Sequence, residues 1–315
     1  MIPIFSDSSS RRVAVTGAGG FIGLHLLRGL QESGAEIVAI LAIGKSTEGL
    51  DALPFRVERV FVEDPSKMGD AITQTAPRYV IHLSAYVSTE RSVRSLQQTM
   101  QWNLLSTISV LTACAEIHVE RVILMGSCEE YGQNISPFDP LVAPDPPSPY
   151  AASKAAATCY ARMFYSSFQL PTVVLRPSVV YGPGQSPRML IPQVMAALAK
   201  GESVDVTEGR QTRDFVYVQD VVDAILHGLT APNIEGDVWN VGSGEIITVK
   251  DCLLLIEQVT HLSGLIKYGA RPYNNREIFH YHPRVEETYT ALNWKPAISL
   301  HEGLRRTWQS LLNKA

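Results

Sequence analysis

Thr16-Gly17-Ala18-Gly19-Gly20-Phe21-Ile22-Gly23 stands directly after the β-rich run Arg12 to Thr16 and opens a stretch, Gly20 to Ser33, with apolar residues at helical spacing. This order of strand, glycines and helix narrows the accessible folds more than any other feature of the chain. Glycine permits a tight turn and lets backbone approach a pyrophosphate, which is favoured at the positive N-terminus of a helix. The spacing is Gly17-x-x-Gly20-x-x-Gly23, one residue out of the G-x-G-x-x-G register, so the structural order carries the assignment. A plain glycine-rich turn is the competing reading.

Further strand-like runs follow at Glu36 to Leu41, Val57 to Val62, Tyr79 to Leu83, Arg121 to Ser127 and Thr172 to Leu175. Helical patterns over 67–75, 92–118 and 148–169 lie between most of them. The alternation predicts βαβ units and an α/β fold, a Rossmann-type doubly wound parallel sheet. Such a topology places the loops after the strands on one rim. The glycine cluster, His82 to Ser84, Ser127 to Glu129 and Arg176 to Ser178 all fall there. After Tyr181-Gly182-Pro183-Gly184 turn signals thicken, and the strands Ser203 to Val206 and Phe215 to Val218 are short. The expected division is an NAD-binding domain over 1–180 and a smaller C-terminal α/β substrate-binding lobe, mainly 181–315. Segments near 215–262, including helices Val221 to Leu229 and Lys250 to His261, should return to the main body.

The hydrophobic fraction is 45% and the charged fraction 18%, values of a globular chain. No apolar run approaches the roughly 18 residues that span a membrane, so no membrane partner is expected. Met1 to Ser10 lacks a basic segment followed by an apolar one, so it reads as a short disordered arm and not a signal peptide. A net charge of −4 argues against nucleic acid. Cys114, Cys128, Cys159 and Cys252 have no metal-type spacing, and they fit a reducing cytoplasm with no metal.

The second strand ends Ile40-Leu41-Ala42-Ile43-Gly44-Lys45, without the acid that would hold ribose hydroxyls. Lys45 would accept a 2′-phosphate or be a solvated loop residue. NAD is the expected cofactor, and NADP stays open. Asp64, after the third strand, is a candidate for the adenine amine or, equally, a helix N-cap.

Tyr150 and Lys154 are four apart in a helical pattern, one turn apart on one face. The ammonium should favour the phenolate and pull Tyr150 below the usual value of about 10. That would make a general base near neutral pH. Alone the pair is an ordinary helix turn; Ser127-Cys128-Glu129 upstream gives it weight.

Taken together, these residues resemble the extended short-chain dehydrogenase/reductase family, and within it the nucleotide-sugar epimerases and dehydratases. The resemblance runs through Thr16 to Gly23, Val80-Ile81-His82-Leu83-Ser84-Ala85, Asn103, Ser127-x-x-x-Tyr131-Gly132 and Ser148-Pro149-Tyr150-x-x-x-Lys154. It continues in Leu175-Arg176-Pro177, Val180 to Gly184, Arg213 to Val218 and Asn240 to Gly244. It implies that Gly17, Gly20, Phe21, Ile22 and Gly23 touch the pyrophosphate and that Leu83 and Ala85 line the cofactor. Lys154 would hold the nicotinamide ribose, with Pro177 near the nicotinamide. Arg213 would grip the diphosphate of a nucleotide sugar with Arg271, for which Arg276 is a rival. Val179 stands where the family usually has Asn. A homodimer through helices 92–118 and 148–169 is also implied.

By the same resemblance, Tyr150 takes the proton of a sugar 4-hydroxyl as C4 gives up hydride, and Ser127 bonds that oxygen. Glu129 would take the C5 proton acidified by the C4 ketone, with Glu130 as a rival for that place. Cys128 replaces the usual Asp or Ser; it reads as a weak acid for the departing 6-hydroxyl or as a small buried hydrophobe. The favoured outcome is dehydration of UDP-N-acetylglucosamine across C5 and C6, as in antibiotic biosynthesis. A 4,6-dehydratase, a UDP-sugar 4-epimerase, a UDP-glucuronate decarboxylase and a non-catalytic nucleotide-binding regulator stay open.

Overall fold

The computed structural model describes residues 11–44, 46–54, 56–88, 92–274 and 277–313. The N-terminal arm, Lys45 and Arg276 therefore lie outside the described residues. Among the described residues there are twelve strands: β1 Arg12–Thr16, β2 Glu36–Ala42, β3 Glu58–Val62, β4 Tyr79–His82, β5 Arg121–Met125, β6 Thr172–Pro177, β7 Val179–Tyr181, β8 Val204–Asp205, β9 Thr212–Tyr217, β10 Val238–Val241, β11 Ile246–Thr248 and β12 Ile266–Lys267. Seven form one sheet in the order β10-β6-β5-β4-β1-β2-β3, with every neighbouring pair parallel. The order reverses between β1 and β4, which opens a crevice at their carboxyl ends.

Both faces of this sheet are covered, so its central strands are almost uniformly apolar. Side chains alternate across it. Val13, Val15, Ile81, Ile123 and Leu175 join one core with Leu26, Leu30, Val222 and Ile225 from helices Phe21–Glu32 and Val218–Gly228. Ala14, Val38, Val80 and Val122 join the opposite core with residues of Met68–Thr75, Ser106–Glu116 and Pro149–Phe168.

The helical pattern over 92–118 is not one helix. A π-helical segment, Met100–Leu105, separates Leu96–Thr99 from Ser106–Glu116. Such insertions re-aim side chains and recur at functional sites. Here the segment carries Asn103, which is buried; its Oδ1 accepts from the Tyr86 N–H at 2.6 Å, and its Nδ2 donates to Ser153 Oγ at 2.9 Å. The loop after β4 is thereby tied to the Pro149–Phe168 helix.

Beyond β6, Val218–Gly228 packs on Phe21–Glu32: a Cβ added to Gly29 would lie 3.0 Å from a Leu226 methyl. Val249–Thr260 instead packs Cys252, Leu253 and Ile256 with Val194, Leu198 and Leu304 in a separate core, away from the main body expected for it. β11, β9 and β7 form a small sheet in that order, and β8 pairs with β12. The sequence reading lacked β10, which has four residues between turn-forming glycines and extends the main sheet. Among the described residues, no helix is long and apolar enough to cross a membrane.

Candidate active site

The glycine turn between β1 and the first helix leaves no room for side chains. Gly17 has φ +68°, and a Cβ there would stand 2.8 Å from the Ser84 amide nitrogen. A Cβ on Gly23 would lie 2.5 Å from the Gly17 carbonyl oxygen. Gly20 is the N-cap of Phe21–Glu32; that helix has no side-chain cap and no acid in its first turn. The amides at Phe21, Ile22 and Gly23 are thus the ones that such a helix offers to an anion. A bare backbone cradle ending in an uncapped helix N-terminus fits a dinucleotide pyrophosphate.

The neighbouring rim is pinned by buried polar ties. Thr16 Oγ1 lies 2.7 Å from His82 Nδ1, His82 Nε2 lies 3.1 Å from Thr107 Oγ1, and Thr16 Oγ1 accepts from the Ser84 N–H at 3.2 Å. Burial lowers His82 to about 3, so the imidazole is neutral. Leu83 and Ala85 follow β4 half-buried, and Pro177 ends β6. Asp64 has the capping role: its Oδ1 accepts from the Ser66 N–H and Oγ, both at 2.7 Å. Asp64 is therefore the N-cap of the turn that follows β3, held through Oδ1, and its Oδ2 is left for the rim.

Tyr150 and Lys154 lie on Pro149–Phe168, which Ser148 caps by accepting from the Ala151 N–H at 3.1 Å, with Pro149 at the first helical position. Tyr150 bonds Ser127. The expected lowering of Tyr150 is reversed. Burial first, then the Glu129 carboxylate, push the phenol up, while the Ser127 bond pulls it down. Lys154 is itself deeply buried and is lowered to about 8 by that burial, against the pull of Glu130. The two residues do share a helix face, yet the cost of desolvating a phenolate outweighs what the lysine offers. A positive charge brought by a bound cofactor would act in the phenolate's favour.

The two adjacent glutamates have different environments. Glu130 is fully buried: it accepts from the Ser127 N–H at 2.8 Å, Thr158 Oγ1 at 2.9 Å and Arg176 Nε at 2.9 Å, and its carboxylate pairs with Arg176 Nη2 at 2.7 Å. Glu129 is half-buried, beside Tyr150 and Tyr281, with its own N–H donated to Ser127 Oγ at 3.2 Å. Ser127 and Glu130 thus brace the turn that presents Glu129.

Cys128 has a packing role. Its side chain is wholly buried among Tyr131, Phe138, Ile278 and Tyr281, and its thiol donates to the Arg176 carbonyl at 3.4 Å. Burial pushes the thiol up to about 12. A donor already used, on a group this weakly acidic, makes a poor general acid, so the catalytic expectation for Cys128 is revised to the hydrophobe reading.

Across the crevice lies a cavity of about 330 Å³ whose lining includes Val179, Gln185, Arg188, Arg213, Arg271 and Glu277. Arg213 is braced. Its Nη1 donates to the Thr212 and Ile278 carbonyls, both at 2.7 Å, and its Nη2 pairs with Glu277 at 2.6 Å. It lines the cavity with its charge balanced by Glu277. Arg271 is exposed on the wall, its N–H bonded to the Val206 carbonyl at 3.1 Å.

Four residues of the site went unread in the sequence or were read only as rivals. Glu130 meets Arg176 across 46 residues of chain, a pairing without a local signal. Tyr281, Glu277 and Arg188 come from segments whose turns hide any period.

Residues 13–242 match the family described as NAD dependent epimerase/dehydratase. The dTDP-D-glucose 4,6-dehydratase of Bos taurus is 29% identical over 320 residues, covering 96% of this chain and 88% of that one. MoeE5, solved in complex with UDP-glucuronic acid and NAD, is 29% identical with a TM-score of 0.84 over 96% of this chain and 100% of its own. The UDP-N-acetylglucosamine 4-epimerase from Methanobrevibacter ruminantium, in complex with UDP-N-acetylmuramic acid, is 26% identical with a TM-score of 0.88 over 97% of this chain and 99% of that one.

Proposed function

The chain belongs to the NAD dependent epimerase/dehydratase family, and from that premise we propose that it is a nucleotide-sugar dehydratase that converts UDP-N-acetylglucosamine to a 5,6-ene. The observation that carries this is the sorting of the two glutamates. Glu130 belongs to the scaffold, whereas Glu129 stands half-buried beside Tyr150. A carboxylate one position along the ring from the C4 hydroxyl has work in removing the C5 proton and none in a simple 4-epimerisation.

The glycine cradle holds the pyrophosphate, Leu83, Ala85 and Pro177 line the cofactor, and Lys154 holds the nicotinamide ribose. When bound, NAD supplies the hydride acceptor for C4. Tyr150 receives the 4-hydroxyl proton, and Ser127 bonds the same oxygen as the carbonyl develops. Glu129 then removes the proton at C5. Arg271, with Arg213 braced behind it, holds the diphosphate in the cavity. Residues 1–180, with Val218–Gly228 and β10, form the NAD-binding part, and the rest of 181–315 binds the nucleotide sugar. The exposed Leu96, Met100, Leu105, Tyr160 and Phe168 on the helices flanking the site support a homodimer.

The 4,6-dehydratase reading shares every step up to the return of hydride, to C6 instead of C4, and the Bos taurus relative favours keeping it as the second reading. Replacement of Glu129 by Gln tests the dehydratase class: water loss and C5 deuterium exchange should both fall at least about 100-fold. Retention of both would leave the carboxylate without a role.

A further inference from the structure

We propose that Thr207 and Gln211 read the imide edge of the nucleotide's pyrimidine base, the uracil of the substrate proposed above. The inference rests on the nucleotide-sugar reading and supplies the base recognition that the diphosphate contacts leave open.

An orphaned acceptor on the cavity wall is the starting point. Gln211 is 7% exposed and lines the cavity, yet its Oε1 has no hydrogen-bond partner among the described residues. An acceptor held away from water costs free energy until a donor arrives. Gln211 Nε2 donates to Thr207 Oγ1 at 3.3 Å, which fixes the way the amide faces. Thr207 Oγ1 also accepts from the Gly209 N–H at 3.3 Å, so both its lone pairs are used and its own proton is left to donate. Thr207 lines the same cavity. The wall thus offers one acceptor and one donor side by side.

The turn that carries the pair is firmly held. Gly209 has φ +74°, and a Cβ there would stand 2.7 Å from the Lys250 amide nitrogen. The Lys250 N–H donates to the Gly209 carbonyl and the Val249 N–H to the Gln211 carbonyl, both at 2.9 Å. Gln211 directly precedes β9, and Gln211, Arg213 and Phe215 line the cavity as alternate residues of one extended run. Two residues of strand set Gln211 about 6.6 Å along from Arg213. The Arg213 guanidinium lies 5.5 Å from the Tyr281 ring, which borders Glu129. With the diphosphate at the arginines and the sugar toward Glu129, the nucleoside takes the Gln211 end.

The imide of uracil matches this pair. Its N3–H and a neighbouring carbonyl project from one edge, a donor beside an acceptor. The N3–H meets Gln211 Oε1, and the Thr207 hydroxyl donates to the carbonyl. Cytosine has a bare lone pair at N3, which would oppose Oε1 acceptor to acceptor. An acetamido group on the sugar also has one N–H and one carbonyl, but they point in opposite directions and cannot serve a single edge. A site built to hydrogen-bond one group rejects the analogue that lacks it.

Calorimetry on the full chain with NAD, titrated with UDP, CDP or dTDP, tests the assignment. Wild type should bind UDP about tenfold or more tighter than CDP. Gln211→Met keeps the length and removes the acceptor, so UDP affinity should fall about tenfold while CDP stays within about threefold, closing the gap. Thr207→Val should close it likewise, which guards against a folding defect in either variant alone. UDP affinity within about twofold of wild type in both variants overturns the proposal. An equal fall for UDP and CDP also overturns it, because it makes the pair structural. The thymine of dTDP carries the same edge. Tighter binding of dTDP than UDP, lost in Gln211→Met, keeps the two residues as readers and makes the substrate a dTDP sugar. Closure of the gap in a chain that never removes water keeps the base assignment and overturns the dehydratase reading. A chain that binds none of the three nucleotides overturns the nucleotide-sugar reading and this inference together.

Discussion

Glu130 and Arg176 meet in the protein interior, carboxylate to guanidinium at 2.7 Å, the one from the turn that carries Ser127 and Glu129 and the other from the end of β6. Both are deeply buried, and Thr158 and the Ser127 amide fill further acceptor sites on the carboxylate. Breaking one side of such a pair leaves a buried charge uncompensated. Glu130→Ala should therefore lose about 3–5 kcal/mol of stability, measured as a shift in urea midpoint at constant slope. A loss below about 1 kcal/mol would mean the pair is not what braces the turn.

Tyr150 owes its place to the Ser148 cap and Pro149, and it meets Ser127 through its hydroxyl. Tyr150→Phe keeps the ring and removes the proton acceptor. Turnover should fall by about 100- to 10,000-fold, with NAD affinity and thermal midpoint nearly unchanged. Activity within tenfold of wild type would move the base elsewhere.

Lys154 has a consequence for stability against pH. Burial lowers it from 10.5 to about 8 in the folded chain. Between those values the unfolded chain holds a proton that the folded one lacks, so stability rises with pH through that window. Below about 8 both forms are charged and the burial penalty is present in full. Lys154→Met removes the effect: the stability advantage of the variant should shrink by up to about 3 kcal/mol between pH 8 and 10.5. A difference independent of pH would contradict the depressed lysine.

Cys128 should resist thiol reagents. Of the four free cysteines only Cys159 is exposed, and burial holds the Cys128 thiol up near 12. Peptide mapping after labelling at pH 8 should leave Cys128 unmodified until denaturant is added. Rapid native labelling would restore Cys128 as a reactive group.

Much of the fold was legible because it rests on local signals. The strand, glycine and helix order at 12–33 and the apolar runs of β4, β5 and β6 report their environment directly. β10 was not legible: four residues have no period, and their burial comes from pairing with β6 across more than sixty residues. The same limit divides the site. The helical spacing of Tyr150 and Lys154 shows in the sequence, and so does the place of Glu129 after Ser127. The electrostatics do not, because burial reverses the shift that Lys154 alone would cause in Tyr150. Nor does sequence separate a thiol aimed at the crevice from one aimed at the Arg176 carbonyl. Arg213 fits the diphosphate pattern by position, while its pairing with Glu277 depends on a turn 64 residues downstream.

The most direct test incubates the wild-type chain with NAD and UDP-N-acetylglucosamine in deuterated water and follows mass and proton spectra together. Elimination with hydride returned to C4 predicts a product lighter by one water, with vinyl signals from C6 and the C4 hydroxyl regained. A product of unchanged mass with inverted C4 configuration would contradict it and make the chain an epimerase.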